Sequence, residues 1–256
     1  MKKPEVILEN YEQVYDYYEH YNQPKFGAKL GHMAMASVFK PSVEYADNAL
    51  EFIEDLINDP QIHCVVAANH LSDNDQYVVS AMAHREPVFK PLIGNTFIQS
   101  KEPLFHHPNK IIRPLLRRGV DVMGAIPAFR KKDVDESKAE LRRLSTSKLI
   151  EISANKLRSG KSMAIFPEGT RNNIDPEVVQ PLRHGIVSVV SDVALTDEVC
   201  VIPVGFTYNN KRRPNMFVEE PVLISELGVD NILPWLHNSL QLAVDSALQQ
   251  SKRSTA

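Results

Sequence analysis

The run Cys64-Val65-Val66-Ala67-Ala68-Asn69-His70-Leu71-Ser72-Asp73-Asn74-Asp75 decides the fold. Five apolar residues with no polar alternation are the pattern of a strand covered on both faces. The abrupt change at Asn69 marks where that strand leaves the core. Upstream the period is helical. Ile7, Tyr11, Val14 and Tyr18 recur at steps of four, three and four until Gln23-Pro24, where the residue before proline is pushed out of helical geometry. A second stripe, Ala46, Leu50, Ile53 and Ile57, is closed by Asn58-Asp59-Pro60. Downstream, residues 136–159 read as a helix with Ile150, Ala154 and Leu157 on one face and Gly160 as its C-terminal cap. Ser162 to Phe166, Val199 to Val204 and Met216 to Leu223 read as strands, the last placed at a sheet edge by Pro221. Leu236, Leu240, Ala243 and Ala247 mark a final helix. Strands alternating with helices predict an α/β fold: a mixed, mostly parallel central sheet flanked by helices, residues 61–250, behind an N-terminal helical extension over 1–60.

The 256 residues suit one large domain, and a 43% hydrophobic content supports a real core. With 29 Lys and Arg against 32 Asp and Glu, the net charge of -3 offers no whole-chain attraction for nucleic acid. Cys64 and Cys200 sit in apolar runs and form no disulfide framework, which favours a reducing, cytoplasmic setting. No apolar run reaches the ~18 residues of a membrane span, and no signal-peptide core follows Met1-Lys2-Lys3-Pro4-Glu5. The nine histidines lack metal-ligand spacing, His106-His107 reading as surface residues, so no metal site is expected.

Ser72 followed three residues later by Asp75 resembles a capping box, and a tight turn into a helix would return the Asp75 carboxylate towards His70. A carboxylate on one ring nitrogen fixes the tautomer and raises the basicity of the other, which suits a general base for a hydroxyl. The same residues also suit a simple helix cap. Ser72 as a nucleophile lacks a G-x-S-x-G setting. After the strand at 162–166, Pro167-Glu168-Gly169-Thr170-Arg171 forms a turn in which Arg171 offers a donor fork for phosphate, while Glu168 either meets an acceptor hydroxyl or holds Arg171. An ordinary turn with a surface ion pair is the alternative. Arg130, after Gly124-Ala125-Ile126-Pro127-Ala128-Phe129, and Lys90, between Phe89 and Pro91, are further cations that either converge here or stay in solvent.

Asn69-His70-x4-Asp75, Gly124-x-Ile126…Arg130, Phe166-Pro167-Glu168-Gly169-Thr170-Arg171 and Val201-Ile202-Pro203-Val204, in this order, resemble the four motif blocks of the glycerolipid acyltransferases, the glycerol-3-phosphate and 1-acylglycerol-3-phosphate O-acyltransferases. The likeness runs from about Cys64 to about Phe206, and Pro181-Leu182-Arg183-His184-Gly185 resembles the segment after the third block. It implies His70 as the base and Asp75 as its orienting partner. Arg130, Glu168, Gly169 and Arg171 would form the acceptor-phosphate site, Lys90 and Thr170 would complete the substrate contacts, and Pro203 would be structural. The second block departs from the pattern at Pro127-Ala128-Phe129 and Lys131-Lys132, which leaves the choice of acceptor open.

The implied reaction moves an acyl group from acyl-CoA or acyl carrier protein to the hydroxyl of 1-acylglycerol 3-phosphate, with backbone N–H groups near the His70 loop meeting the oxyanion. No cofactor beyond that co-substrate and no nucleic-acid partner is expected. Lipid products imply peripheral association with a membrane surface. Leu104-Phe105, the stretch Ile111-Ile112-Arg113-Pro114-Leu115-Leu116-Arg117-Arg118, and Phe26 to Phe39 are the candidate interfacial segments. The alternatives are glycerol 3-phosphate as acceptor, a silent lipid-headgroup-binding module, and a histidine-based phosphatase or phosphotransferase.

Overall fold

The apolar run at 64–68 forms an inner strand of a sheet, and its neighbours on both sides supply the rest of the site. A computed structural model describes residues 3–101 and 113–253, with only the backbone of 113–116 and of residue 132. In chain order the elements are α1 (Tyr11–His20), α2 (Lys25–Val38), β1 (Ser42–Tyr45), α3 (Ala49–Asn58), β2 (Ile62–Ala68), α4 (Asp75–Arg85), β3 (Thr96–Lys101) and α5 (Arg113–Val122). They continue with β4 (Ala125–Ala128), α6 (Ala139–Arg158), β5 (Ser162–Ile165), α7 (Gly185–Val193), β6 (Glu198–Thr207), β7 (Asn215–Val218), β8 (Val222–Leu223), α8 (Ile224–Leu227) and α9 (Ile232–Arg253). Leu104-Phe105, His106-His107 and Ile111-Ile112 lie outside the described residues.

Among the described residues the strands form one sheet in the order β1-β7-β6-β2-β5-β3-β4, with β8 also paired to β6. The five strands from β6 to β4 run parallel, while β7 and β8 are antiparallel to β6. The fold is therefore the expected α/β arrangement of mostly parallel strands flanked by helices. Because the side-chain period of a strand is two, β2 feeds two cores. Val65 and Ala67 pack with α1, α6, α7 and α9 on one face, and Val66 and Ala68 with α2, α3 and α4 on the other. Each fully buried Val, Leu or Ile in these layers contributes about 1.5–3 kcal/mol. Packing over β6 is close: a Cβ at Gly205 would fall 2.3 Å from the Ala243 carbonyl carbon of α9.

Three expectations change. The inward face of α3 is Ala49, Ile53 and Leu56, with Leu50 exposed and Ala46 ahead of the helix. Its phase is set by Asn48, whose left-handed backbone (φ 64°) turns the chain into the helix. In α1 the buried residues are Val14, Tyr15 and Tyr18, since Ile7 precedes the helix. The segment 216–223 is not an edge. β7 lies between β1 and β6, and Pro221 falls in the break between β7 and β8. Pro203 faces the same break: its carbonyl accepts from Glu219 N (3.1 Å), and N–H and C=O of one strand residue point the same way. A missing donor there interrupts no ladder. The N-terminal helical segment also contributes β1, whose pairing with β7 joins it to the sheet.

Candidate active site

Every residue of the site follows the carboxyl end of a parallel strand, where ligand sites of α/β sheets collect. His70, Asp73 and Asp75 follow β2, Glu168 to Arg171 follow β5, Lys101 ends β3, Arg130 follows β4 and Tyr208 follows β6. The sheet order β6-β2-β5-β3-β4 lays them side by side.

The turn after β2 is held from both sides. The buried Asn69 amide closes against β6, donating to Phe206 O (3.0 Å) and accepting from Phe206 N (2.9 Å). His70 N donates to Glu168 Oε1 (2.7 Å) and His70 O accepts from Asn172 N (2.7 Å), so both backbone groups of the histidine are tied to the loop after β5. Asp75 is fully buried, and its carboxylate accepts five hydrogen bonds. Oδ2 takes His70 Nδ1 (2.7 Å), Leu71 N (2.6 Å) and Ser72 N (2.8 Å). Oδ1 takes Ser72 Oγ (2.7 Å) and Tyr208 Oη (2.8 Å). Oδ2 already accepts from two backbone N–H groups, so the imidazole faces an acceptor and, when neutral, carries its proton on Nδ1 and its lone pair on Nε2. Burial and the Asp75 charge push the Tyr208 phenol well above its ordinary value. The imidazole stacks on Phe166, ring centroids 4.5 Å apart and planes within 17°.

Asp75 is the first residue of α4, and Asn74 precedes it as the cap position. Only the return bond of a capping box forms, Ser72 N to Asp75, while Ser72 Oγ accepts from Asn74 N (3.1 Å), two residues on instead of three. With its hydroxyl held between Asn74 N and Asp75, Ser72 is built into the turn. The N–H groups of His70, Leu71, Ser72 and Asn74 all donate inside the protein, so they are not the oxyanion donors expected of this loop.

His70 and Arg171 line one cleft of about 530 Å³, with Asp73, Lys101, Arg130, Gly169 and Arg183. Lys101 Nζ bonds Asp73 Oδ1 (3.0 Å), Arg171 Nη1 bonds Asp73 Oδ2 (2.7 Å) and Arg130 Nε bonds Asp133 Oδ2 (2.5 Å). The Lys101 bond, helped by the charges of Lys101 and Arg171, holds the Asp73 carboxyl below its usual range. Gly169 is left-handed (φ 69°), and a Cβ there would sit 3.0 Å from Arg183 Cγ, so glycine keeps the turn low beneath that arginine. The first residues of α7, Gly185 and Ile186, also line the cleft and bring the positive end of that helix's dipole to it.

Three expected contacts are elsewhere. Glu168 is 2% exposed, and its oxygens accept from His70 N and Gln180 N (3.2 Å), making it a buried buttress under the histidine rather than a cleft ligand. Burial raises its carboxyl against those two donors. Lys90 is exposed in a 3-10 turn over Pro87–Leu92, and Thr170 is half-buried; neither is among the residues lining the cleft. Lys101, Arg183, Asp73 and Tyr208 are the members that the motif spacing did not reveal. Two had a signal: Arg183 lies in the Pro181-to-Gly185 segment noted above, and Lys101 is a cation three residues after the strand-like Thr96-Phe97-Ile98.

A second cavity, about 650 Å³ and mostly apolar, shares Asn74, Gln76, Tyr77, Ile98 and Ser100 with the cleft. It runs between α2, α4 and α5, walled by Met35, Phe39, Met82, Ala83 and Val120. No group of three or more His, Cys, Asp or Glu side chains suited to a metal occurs among the described residues. A family model described as Acyltransferase matches residues 48–207, from the entry of α3 to the end of β6. No curated protein matches the chain.

Proposed function

The chain belongs to the acyltransferase family, and from that premise we propose that it transfers a fatty acyl group from acyl-CoA or acyl carrier protein to the hydroxyl of 1-acylglycerol 3-phosphate, in phospholipid biosynthesis. The carrying observation is the union in one cleft of a base with a fixed tautomer, a set of cations and an adjoining apolar cavity. His70 Nε2 takes the proton as the acceptor oxygen attacks the thioester carbonyl. The tetrahedral intermediate collapses, the C–S bond breaks and the leaving sulfur is protonated by the imidazolium. Asp75 stabilises that imidazolium and holds the ring in place. Arg130 and Arg171, joined by Lys101 and Arg183, hold the acceptor phosphate. The apolar cavity takes the acyl chain, whose burial is worth roughly 0.8 kcal/mol per methylene.

Purified protein assayed with one acyl-CoA, and in parallel with acyl carrier protein, should acylate the monoacyl acceptor. Greater turnover on glycerol 3-phosphate would favour the second acceptor. No transfer to either, with His70→Ala unchanged, would leave a silent headgroup-binding module.

Peripheral membrane docking belongs to the same reading. No described helix is long and apolar enough to cross a membrane. The outer face of α2 exposes Phe26 (76%), Leu30, Met33 and Val38. Beyond its end, Lys40 N bonds Arg212 O (2.7 Å), which sets Lys40 beside exposed Lys211, Arg212 and Arg213. Apolar side chains next to cations suit an anionic interface. Sedimentation with anionic vesicles should be strong at low salt and fall as salt rises; binding that ignores salt would count against it.

A further inference from the structure

Asp73 lines the cleft with the imidazole and pairs with two of its cations, and its carboxylate is not among the groups that hold the turn. The turn is held by Asp75 and Ser72, and the bonds of the Asp73 carboxylate go to Lys101 and Arg171. Those two cations come from β3 and from the loop after β5, and β5 lies between β2 and β3. The carboxylate thus spans the cleft floor across three strands, one oxygen to each cation, while its side chain stays 61% exposed. Both cations and Asp73 line the cleft with His70.

We propose that Asp73 is a resident anion. Before the acceptor binds, it takes the place of the acceptor's phosphate, and by competing for Lys101 and Arg171 it sets how tightly the acceptor is held. The inference rests on the proposed phosphate-bearing acceptor. A phosphate monoester brings about two negative charges and three strong acceptor oxygens against one carboxylate, so it displaces Asp73 by a side-chain rotation. Exposed ion pairs are weak, so the exchange meets little resistance. Acceptor and product carry the same headgroup. A carboxylate ready to return to the two cations weakens the hold on both and speeds their exchange.

The test titrates purified protein with glycerol 3-phosphate and with inorganic phosphate, following calorimetry or the rise in thermal midpoint. Asp73→Asn should bind both probes about three- to tenfold tighter, as expected when two exposed ion pairs are released together. Its acceptor KM in the acyl-transfer assay should fall by a similar factor. In an Arg171→Ala background the same change should bring a clearly smaller gain, because the two residues act through one bond. Binding that weakens in Asp73→Asn would make Asp73 an organiser of the cations and overturn the inference, as would unchanged binding. If Arg171→Ala abolishes phosphate binding while Asp73→Asn leaves it unaltered, only this inference fails. If the unaltered protein binds neither probe, the phosphate-bearing acceptor falls as well.

Discussion

The two ends of the cleft are built on opposite terms. At the His70 end the polar atoms are buried and matched: Asp75 is fully buried with five donors, and Glu168, 2% exposed, holds two backbone N–H groups. At the other end Lys101, Arg130 and Arg171 reach solvent and pair with aspartates, Asp73 being 61% exposed. A buried carboxylate cannot turn without stranding donors that cost about 1–3 kcal/mol each. An exposed ion pair is worth about 0–1 kcal/mol and re-forms with another partner easily. The matched, buried bonds therefore resist rearrangement at the end where the proposed chemistry moves a proton. The exposed ion pairs re-form easily at the end where the proposed phosphate-bearing acceptor would enter and leave.

Substitutions at the buried end should have the largest effects. His70→Ala should lower kcat by about 10²–10⁴-fold, the usual range for a general base, while acceptor binding by calorimetry changes little. Asp75→Asn should approach that loss, since an amide presents a donor where Nδ1–H needs an acceptor, and the thermal midpoint should fall with it. Near-normal turnover in either variant would break the assigned chemistry. Glu168→Ala should lower stability by about 1–3 kcal/mol, read by denaturant melts, because His70 N and Gln180 N lose their partner. Turnover should then fall through misplacement of the turn. A raised acceptor KM with unchanged stability would return Glu168 to the ligand end.

At the exposed end the effects should be smaller and depend on salt. Arg171→Ala should raise the acceptor KM about tenfold, with kcat nearly kept and the difference narrowing at high ionic strength. The adjoining cavity offers the mildest test. Ala83→Phe, in its wall, should shift preference towards shorter acyl chains by a few-fold, measured with a series of acyl-CoAs.

What could be read without coordinates was local. Asn69 to Asp75 lie within one turn, so residue types and spacing allowed the carboxylate to return to the imidazole or merely to cap the helix, and the His70–Asp75 bond settles it for the first. Cys64 to Ala68 and Val199 to Val204 are runs without a polar residue, which left little choice but a buried strand. Short elements were harder. Pro87 to Leu92 holds apolar residues around a cation, much as Ala125 to Arg130 does, yet the first is a 3-10 turn and the second a strand leading to the cleft. Runs this short carry no period to separate them. Glu168 shows a third limit: a Pro-Glu-Gly-Thr turn resembles a surface turn, and its burial arises only when the His70 loop lies over it.

The amino-acid order alone pointed to the α/β class and to the strand that ends before Asn69, and it made the His70 and Asp75 pair a candidate beside a simple helix cap, because each depends on neighbours a few residues away. Only the tertiary structure decided that Lys101, Asp73, Arg171 and Arg183 meet beside that pair, and that an apolar cavity opens from the same cleft. Those meetings depend on the lateral order β2-β5-β3-β4. That order is settled by how whole sheets and helices pack, over separations at which local residue preferences carry no information.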